Sequence, residues 1–199
     1  MTRPGRPREF DEGEVLDAAL RLFWARGYER TGIADVVAAT GVLRGSLYAA
    51  FGDKRGLFLA ALGRYRAAWM ASLAGLEVGA VLPGLRGMLL HLAGASREAG
   101  GRGCLVGNTI GEAFLGEELV REAVQATLDE VAARLAVVLR RGQEAGEVSR
   151  ARPPGAQAWL VLAVLEGLLL LGRAGRPATD LEATLDAALD GLRAAPAMR

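Results

Sequence analysis

Apolar residues recur at intervals of three and four along nearly the whole chain, the spacing of one face of an α-helix. The first stripe is Val15, Leu16, Ala19, Leu22 and Phe23. Asp11 stands before it as a predicted N-cap, with Glu14 three residues on in the capping-box position, and Gly27 ends it. Thr31 is placed to cap a short second helix carrying Ile33, Val36 and Val37, which stops at Gly41. A third helix runs from about Arg44 to Phe51. A fourth starts near Asp53, with Leu57, Phe58, Ala61, Leu62, Tyr65, Trp69 and Leu73 on one side. Five more follow: one with Leu85, Met88, Leu89 and Leu92; "CLVGNTIGEAF" after the break at "GGRG"; a long one over about 117–144; an apolar one over 155–172 behind "RARPPG"; and a last one over about 178–194. Sustained alternation and Asn-Gly hairpin signals are absent, so the pattern predicts an all-α chain of about nine helices.

Composition narrows this further. Apolar residues make up 51% of the 199, the balance of a globular chain. The net charge of +1 hides an asymmetry: residues 1–66 hold eleven Arg/Lys against eight Asp/Glu, and the remainder thirteen against fifteen. Arg3, Arg6 and Arg8 open the chain, and Arg44, Lys54 and Arg55 cluster later. A small nucleic-acid-facing end on a neutral-to-acidic body fits that distribution. The single Cys104 cannot form an intramolecular disulfide, and the first residues do not read as a signal peptide, so a cytoplasmic protein is expected. The longest apolar run, 158–171, is too short for a membrane span of about 20 residues and holds Glu166, so a buried helix is expected.

Helix, glycine-containing turn, helix at the spacing of 33–51 is that of a helix-turn-helix, whose second helix enters the major groove of DNA. Val36, Val37, Val42, Leu47 and Phe51 fall on inward positions, leaving Arg44, Ser46, Tyr48 and Ala49 facing away. Arg pairs two acceptors on guanine, Tyr touches a thymine methyl or a phosphate, and Gly45 lets backbone approach closely. Lys54, at the start of the next helix, is placed to meet a phosphate. By spacing alone, an ordinary αα-hairpin stays open beside this reading.

The residues themselves go further. "AALRLFWARGYERTGIADVVAATGV" followed by "RGSLYAAFGDKRGLF" closely resembles the N-terminal DNA-binding domain of the tetracycline-repressor (TetR) family of bacterial regulators. The resemblance implies a DNA-binding domain over 1–53, a helical ligand-binding and dimerisation domain over 54–199, and a homodimer on a near-palindromic double-stranded operator, usually a repressor released by a small ligand. By position it implies base and backbone contacts from Arg44, Gly45, Ser46 and Tyr48, and phosphate contacts from Thr31 and Lys54. Leu43 stands where the family commonly has a capping Ser and offers apolar contact instead; Ala49 and Ala50 replace residues that are often aromatic or His. The arm carrying Arg3, Arg6 and Arg8 resembles the family's basic leaders and is suited to the minor groove.

Beyond residue 66 the resemblance implies architecture alone. The apolar helix over 155–172 has no polar face, and a helix apolar all round must be covered on all sides. A four-helix bundle with the last helix and the same pair from a partner would cover it, through Leu162, Leu165, Glu166, Leu169, Leu185 and Leu189. Glu166 among apolar neighbours calls for either an ion pair across the dimer or a place in a ligand cavity. Trp69, Leu73, Met88, His91, Leu92, Cys104, Asn108, Phe114, Leu128 and Trp159 are candidate linings for an apolar or aromatic inducer, or are simply core. Cys104 at a helix start near Arg102 is either a small buried hydrophobe or a thiol of raised reactivity; the resemblance implies, for the second case, a sensor of electrophiles or oxidants, since some family members use such a cysteine. One His and one Cys make no metal cluster of ordinary spacing, and no cofactor is expected. A helical enzyme and an adaptor without DNA binding are remote alternatives. The first lacks a paired nucleophile or a phosphate loop; the second would predict a degraded recognition helix.

Overall fold

The computed structural model describes residues 10–113 and 117–195. Arg3, Arg6, Arg8 and Phe114 lie outside the described residues. Among those described there are nine α-helices: α1 (Glu12–Arg26), α2 (Ile33–Thr40), α3 (Arg44–Phe51), α4 (Lys54–Ala74), α5 (Val81–Glu98), α6 (Leu105–Ala113), α7 (Glu118–Glu144), α8 (Pro154–Arg173) and α9 (Ala178–Asp190). The only extended pairing among them is a single bridge between Val148 and Arg193. Two compact units divide at Tyr65–Arg66, inside α4, whereas the resemblance implies a boundary at 53/54, where that helix starts.

In the first unit Asp11 caps α1, its carboxylate accepting from the backbone N–H of Gly13 at 2.7 Å and of Glu14 at 3.1 Å. The buried stripe of α1 packs Phe23 edge-on against Phe58 of α4, with ring centroids 5.1 Å apart, and Tyr28 closes the cluster at 4.9 Å from Phe58. Each of these rings adds about 1.5–3 kcal/mol of burial. Arg64 donates to both carboxylate oxygens of Asp17, from Nε at 2.5 Å and from Nη2 at 2.8 Å, tying α4 to α1. Gly41 ends α2 with φ 72°, a left-handed conformation that glycine adopts without strain. The axes of α2 and α3 are bent by 114°, within the range of a helix-turn-helix.

Thr31 corrects one expectation. It does not cap α2: it is fully buried, and its hydroxyl donates to the Gly27 carbonyl at 2.7 Å. Gly32 is the N-cap instead, and Asp35 reaches back to accept its N–H at 2.7 Å while held by Arg26 at 2.8 Å. That hydrogen bond, with Arg26 adding to it, keeps the Asp35 carboxyl below its ordinary range.

In the second unit α8 packs against α5, α7 and α9. The turn after α7 is pinned by Gln143, whose amide nitrogen donates to the carbonyls of Ser149 and Arg152 and to Gln157 Oε1. Glu147 caps α5 from a distance, accepting the N–H groups of Val81 at 2.6 Å and Leu82 at 2.7 Å. A carboxylate there satisfies two orphan donors and meets the positive end of the helix. Glu147→Ala is therefore expected to cost about 1–2 kcal/mol, the range for a lost cap, read as a lower urea midpoint at unchanged m.

α8 is long and apolar enough, by length and composition, to cross a membrane. Its burial shows a different arrangement. Val161, Leu162, Leu165, Leu168 and Leu169 are buried against the neighbouring helices, while Trp159, Leu160, Leu170 and Leu171 face outward.

Candidate nucleic-acid interface and ligand cavity

Leu47 anchors α3: it is buried and holds the helix against the first unit. The side chains around it turn the other way. Leu43 is 74% exposed and Tyr48 43%, while Arg44, Gly45 and Ala49 are exposed as well, and Ser46 is half-buried. Leu43 occupies the N-cap with no side-chain cap, and its carbonyl accepts from the N–H groups of Ser46 at 3.0 Å and Leu47 at 3.1 Å. A side chain this exposed is not part of the core. A methyl group added at Gly45 would meet no atom within 4 Å, so the chain's own packing does not demand a glycine there.

Lys54 opens α4 directly after this surface. Its ammonium stands 4.4 Å from the centre of the Tyr28 ring and donates to the Glu29 carbonyl at 3.1 Å, which positions the charge. Asp53 caps the same helix by accepting the Gly56 N–H at 2.7 Å, and Arg55 pairs with Asp53 at 3.2 Å. Thr31 is not part of this surface, since its hydroxyl is spent inside the fold. The Lys54–Tyr28 stack was not read from the sequence; the signal for it was "GYER", an aromatic at the break after the first helix.

In the second unit the ten residues expected to line an inducer pocket separate. Trp69 and Leu73 are buried in the core, and Met88, Leu92 and Leu128 are half-buried. His91 and Trp159 are exposed, which corrects their placement as core or pocket lining. Cys104 and Asn108 line a cavity of about 260 Å³ between the start of α6 and the end of α8. They share it with Gly103, Gly107, Glu166, Gly167, Leu169, Leu170 and Arg173. Glu166 and Leu169 were expected at a dimer interface, and Arg173 was not singled out. Cys104 caps α6: Gly107 N–H donates to its sulfur at 3.4 Å, and Asn108 N–H to its carbonyl at 2.9 Å. Burial pushes the Glu166 carboxyl above its ordinary pKa, and a hydrogen bond with Cys104 opposes that rise. A larger surface cleft of about 720 Å³ lies in the first unit, walled by Asp11, Glu14, Asp17 and Arg21 beside the α2–α3 turn. Its charged wall suits an apolar ligand poorly.

The interface residues divide too. Leu162, Leu165, Leu169, Leu185 and Leu189 are all buried within the protomer, Leu165 at 1% and Leu185 at 0% exposure. They hold α8 and α9 in place and are not available to a partner, because the inward stripe of α8 is spent on its own neighbours. Leu160, Ala163, Gly167, Leu170 and Leu171 form the outward stripe, at spacings of three and four.

Residues 15–61 match the family described as bacterial regulatory proteins, tetR family, and residues 82–188 match the tetracyclin repressor-like C-terminal domain. The chain belongs to the tetR family of bacterial transcriptional regulators. Among its relatives, the HTH-type transcriptional repressor ComR of Escherichia coli is 54% identical over 47 residues, 24% of this chain and 22% of ComR. That match spans under a quarter of ComR's length. The HTH-type transcriptional repressor DhaR of a Mycobacterium species is 23% identical over 178 residues, covering 89% of this chain and 90% of DhaR. Among solved structures, a cysteine mutant of the TetR-family regulator CifR, complexed with 26 bp double-strand operator DNA, is 30% identical. It superposes with a TM-score of 0.77 over 94% of this chain and 100% of CifR. The match to the tetR model, 15–61, begins within α1, takes in α2 and α3 and ends within α4, the elements that carry the exposed surface around Arg44.

Proposed function

We propose that this regulator is a cytoplasmic repressor that binds a near-palindromic operator as a homodimer, inserts α3 into the major groove, and leaves the DNA when a small ligand binds its second unit. The observation that carries the reading is the surface of α3: Leu43, Arg44, Gly45 and Tyr48 all stand outward while Leu47 fastens the helix from behind. Arg44 offers a bidentate pair to a guanine, Leu43 an apolar contact to a thymine methyl, and Gly45 the clearance for close approach. Ser46 and Lys54 serve the phosphates, Lys54 with its charge already positioned over Tyr28. The operator-bound CifR structure supports the DNA half of the proposal. The arm carrying Arg3, Arg6 and Arg8 adds backbone contacts.

For the dimer, the outward stripe of α8 is the surface we assign, because an apolar stripe left open on a monomer invites a partner. Leu170 belongs both to that stripe and to the rim of the 260 Å³ cavity. A small inducer with an apolar or aromatic face, lying against Leu169 and Leu170, would thus act beside the dimer surface. It would favour release to the extent that it binds one dimer geometry better than another. α4, continuous from Lys54 to Ala74, is the element through which we expect that preference to travel.

A second reading is favoured by one observation, that Cys104 lines this cavity beside Glu166: the responding group is then the thiol itself. Fluorescence anisotropy with DNA from the region flanking the protein's own gene tests the first reading. Saturable binding that competes poorly with random DNA is expected; equal binding to both would remove the repressor assignment.

A further inference from the structure

Cys104 and Glu166 come from helices far apart in sequence and meet because residue 107 is glycine. A Cβ at Gly107 would lie 2.3 Å from Glu166 Oε2 and 3.1 Å from its Cδ, so any larger residue would drive the carboxyl away. With glycine there, Glu166 lies against the first turn of α6 and shares a hydrogen bond with the Cys104 thiol. The same turn donates Gly107 N–H to the sulfur at 3.4 Å, so the sulfur sits at the N-terminal end of α6, where it receives a backbone hydrogen bond and faces the positive end of the helix. The charged residues lining the cavity are Glu166 and Arg173, both from α8. Arg173 donates to Asn108 Oδ1 at 3.2 Å, and Asn108 is held in turn by donating to the Arg102 carbonyl at 2.7 Å.

We propose that Glu166 is the proton acceptor of the Cys104 thiol, and that with Arg173 the pair forms a site for covalent capture of a small α,β-unsaturated carbonyl compound. This rests on the second reading above and adds to it the residue that activates the thiol and the class of compound that reacts. The thiol proton passes to the Glu166 carboxylate as the sulfur forms a bond to the β-carbon. The alkene π-electrons move onto the carbonyl oxygen as an enolate, stabilised by the Arg173 guanidinium. Glu166 then returns the proton to the α-carbon, leaving a thioether and a restored carboxylate, with no other reactant consumed. Burial suits Glu166 to this role, since a carboxyl with a raised pKa lies nearer the thiol and takes its proton more readily.

A fixed negative charge beside a thiol has the opposite effect if it does nothing else, because it repels the thiolate and slows attack. The two roles therefore predict opposite signs. Labelling of the full-length protein by methyl vinyl ketone, followed by intact-mass spectrometry between pH 6 and 9, reads the difference. Glu166→Gln is expected to slow the second-order rate at pH 7 by about 10-fold or more and to move the pH profile upward. Glu166→Asp, which keeps the carboxylate one carbon shorter, should recover part of the rate and serves if the Gln variant melts early. Cys104→Ser should abolish labelling. Arg173→Gln should slow methyl vinyl ketone but not iodoacetamide, whose substitution forms no enolate. A Glu166→Gln rate equal to or above wild type overturns the proposal. Operator binding is measured on the same labelled samples. Glu166-dependent labelling without operator release keeps the proton acceptor and removes the sensor reading, whereas release without Glu166 dependence does the reverse.

Discussion

Arg44→Ala should weaken specific operator binding by about 1–3 kcal/mol, roughly 5- to 150-fold, and relax the preference at one base position. The expectation follows from where Arg44 stands. It is the first residue of α3 and is exposed, so its guanidinium faces solvent where it can pair with a base edge. Lys54→Ala should behave differently. Its ammonium is held beside Tyr28 as a point charge, and its loss should lower affinity for all sequences and reduce the salt slope by about one. Titrations against operator and random duplexes at several salt concentrations separate the two. Equal losses on both DNAs for both variants would show that reading and positioning are not divided in this way. Thr31→Val supplies an internal contrast: it removes a buried donor from the Gly27 carbonyl, so it should lower the melting temperature and leave the salt slope alone.

Leu170→Arg should break the dimer, raising its dissociation constant more than a hundredfold, about 3 kcal/mol for an unpaired charge at a covered surface. Leu170 is 68% exposed in the protomer, so the substitution leaves the fold intact, and any loss of association reports on the partner contact alone. Leu165→Arg, at the position the sequence pattern nominates for the interface, would instead place the charge at a residue 1% exposed and unfold the second unit. Sedimentation velocity with circular dichroism distinguishes the two. A Leu170→Arg protein that stays dimeric would move the interface off this stripe.

The contrast between Leu165 and Leu170 marks where the sequence stopped being legible. Periodicity placed every helix, because a three-four apolar rhythm and glycine or proline stops are local properties. α8 is apolar nearly all round, so its composition demands cover without saying which stripe its own neighbours supply; packing against α5, α7 and α9 decides that. α3 was different. There an amphipathic pattern split Leu47 from Arg44 and Tyr48, and the exposed face could be read directly. Thr31 misled because a threonine before a helix is a good cap, yet Asp35 three residues on satisfies Gly32 and frees Thr31 to turn inward. Glu166 was visible as an anomaly, a carboxylate in an apolar helix, but its partner Cys104 lies 62 residues earlier and only the approach of α6 to α8 joins them.

The central claim, that a homodimer reads DNA through α3, is tested most directly by selecting bound sequences from a random duplex pool and sequencing them. The recovered motif should be an inverted repeat with half-site centres about 10–10.5 bp apart or a multiple of that, each half carrying a guanine whose preference disappears in Arg44→Ala. A motif without inverted symmetry, or a pool left unenriched, would contradict it.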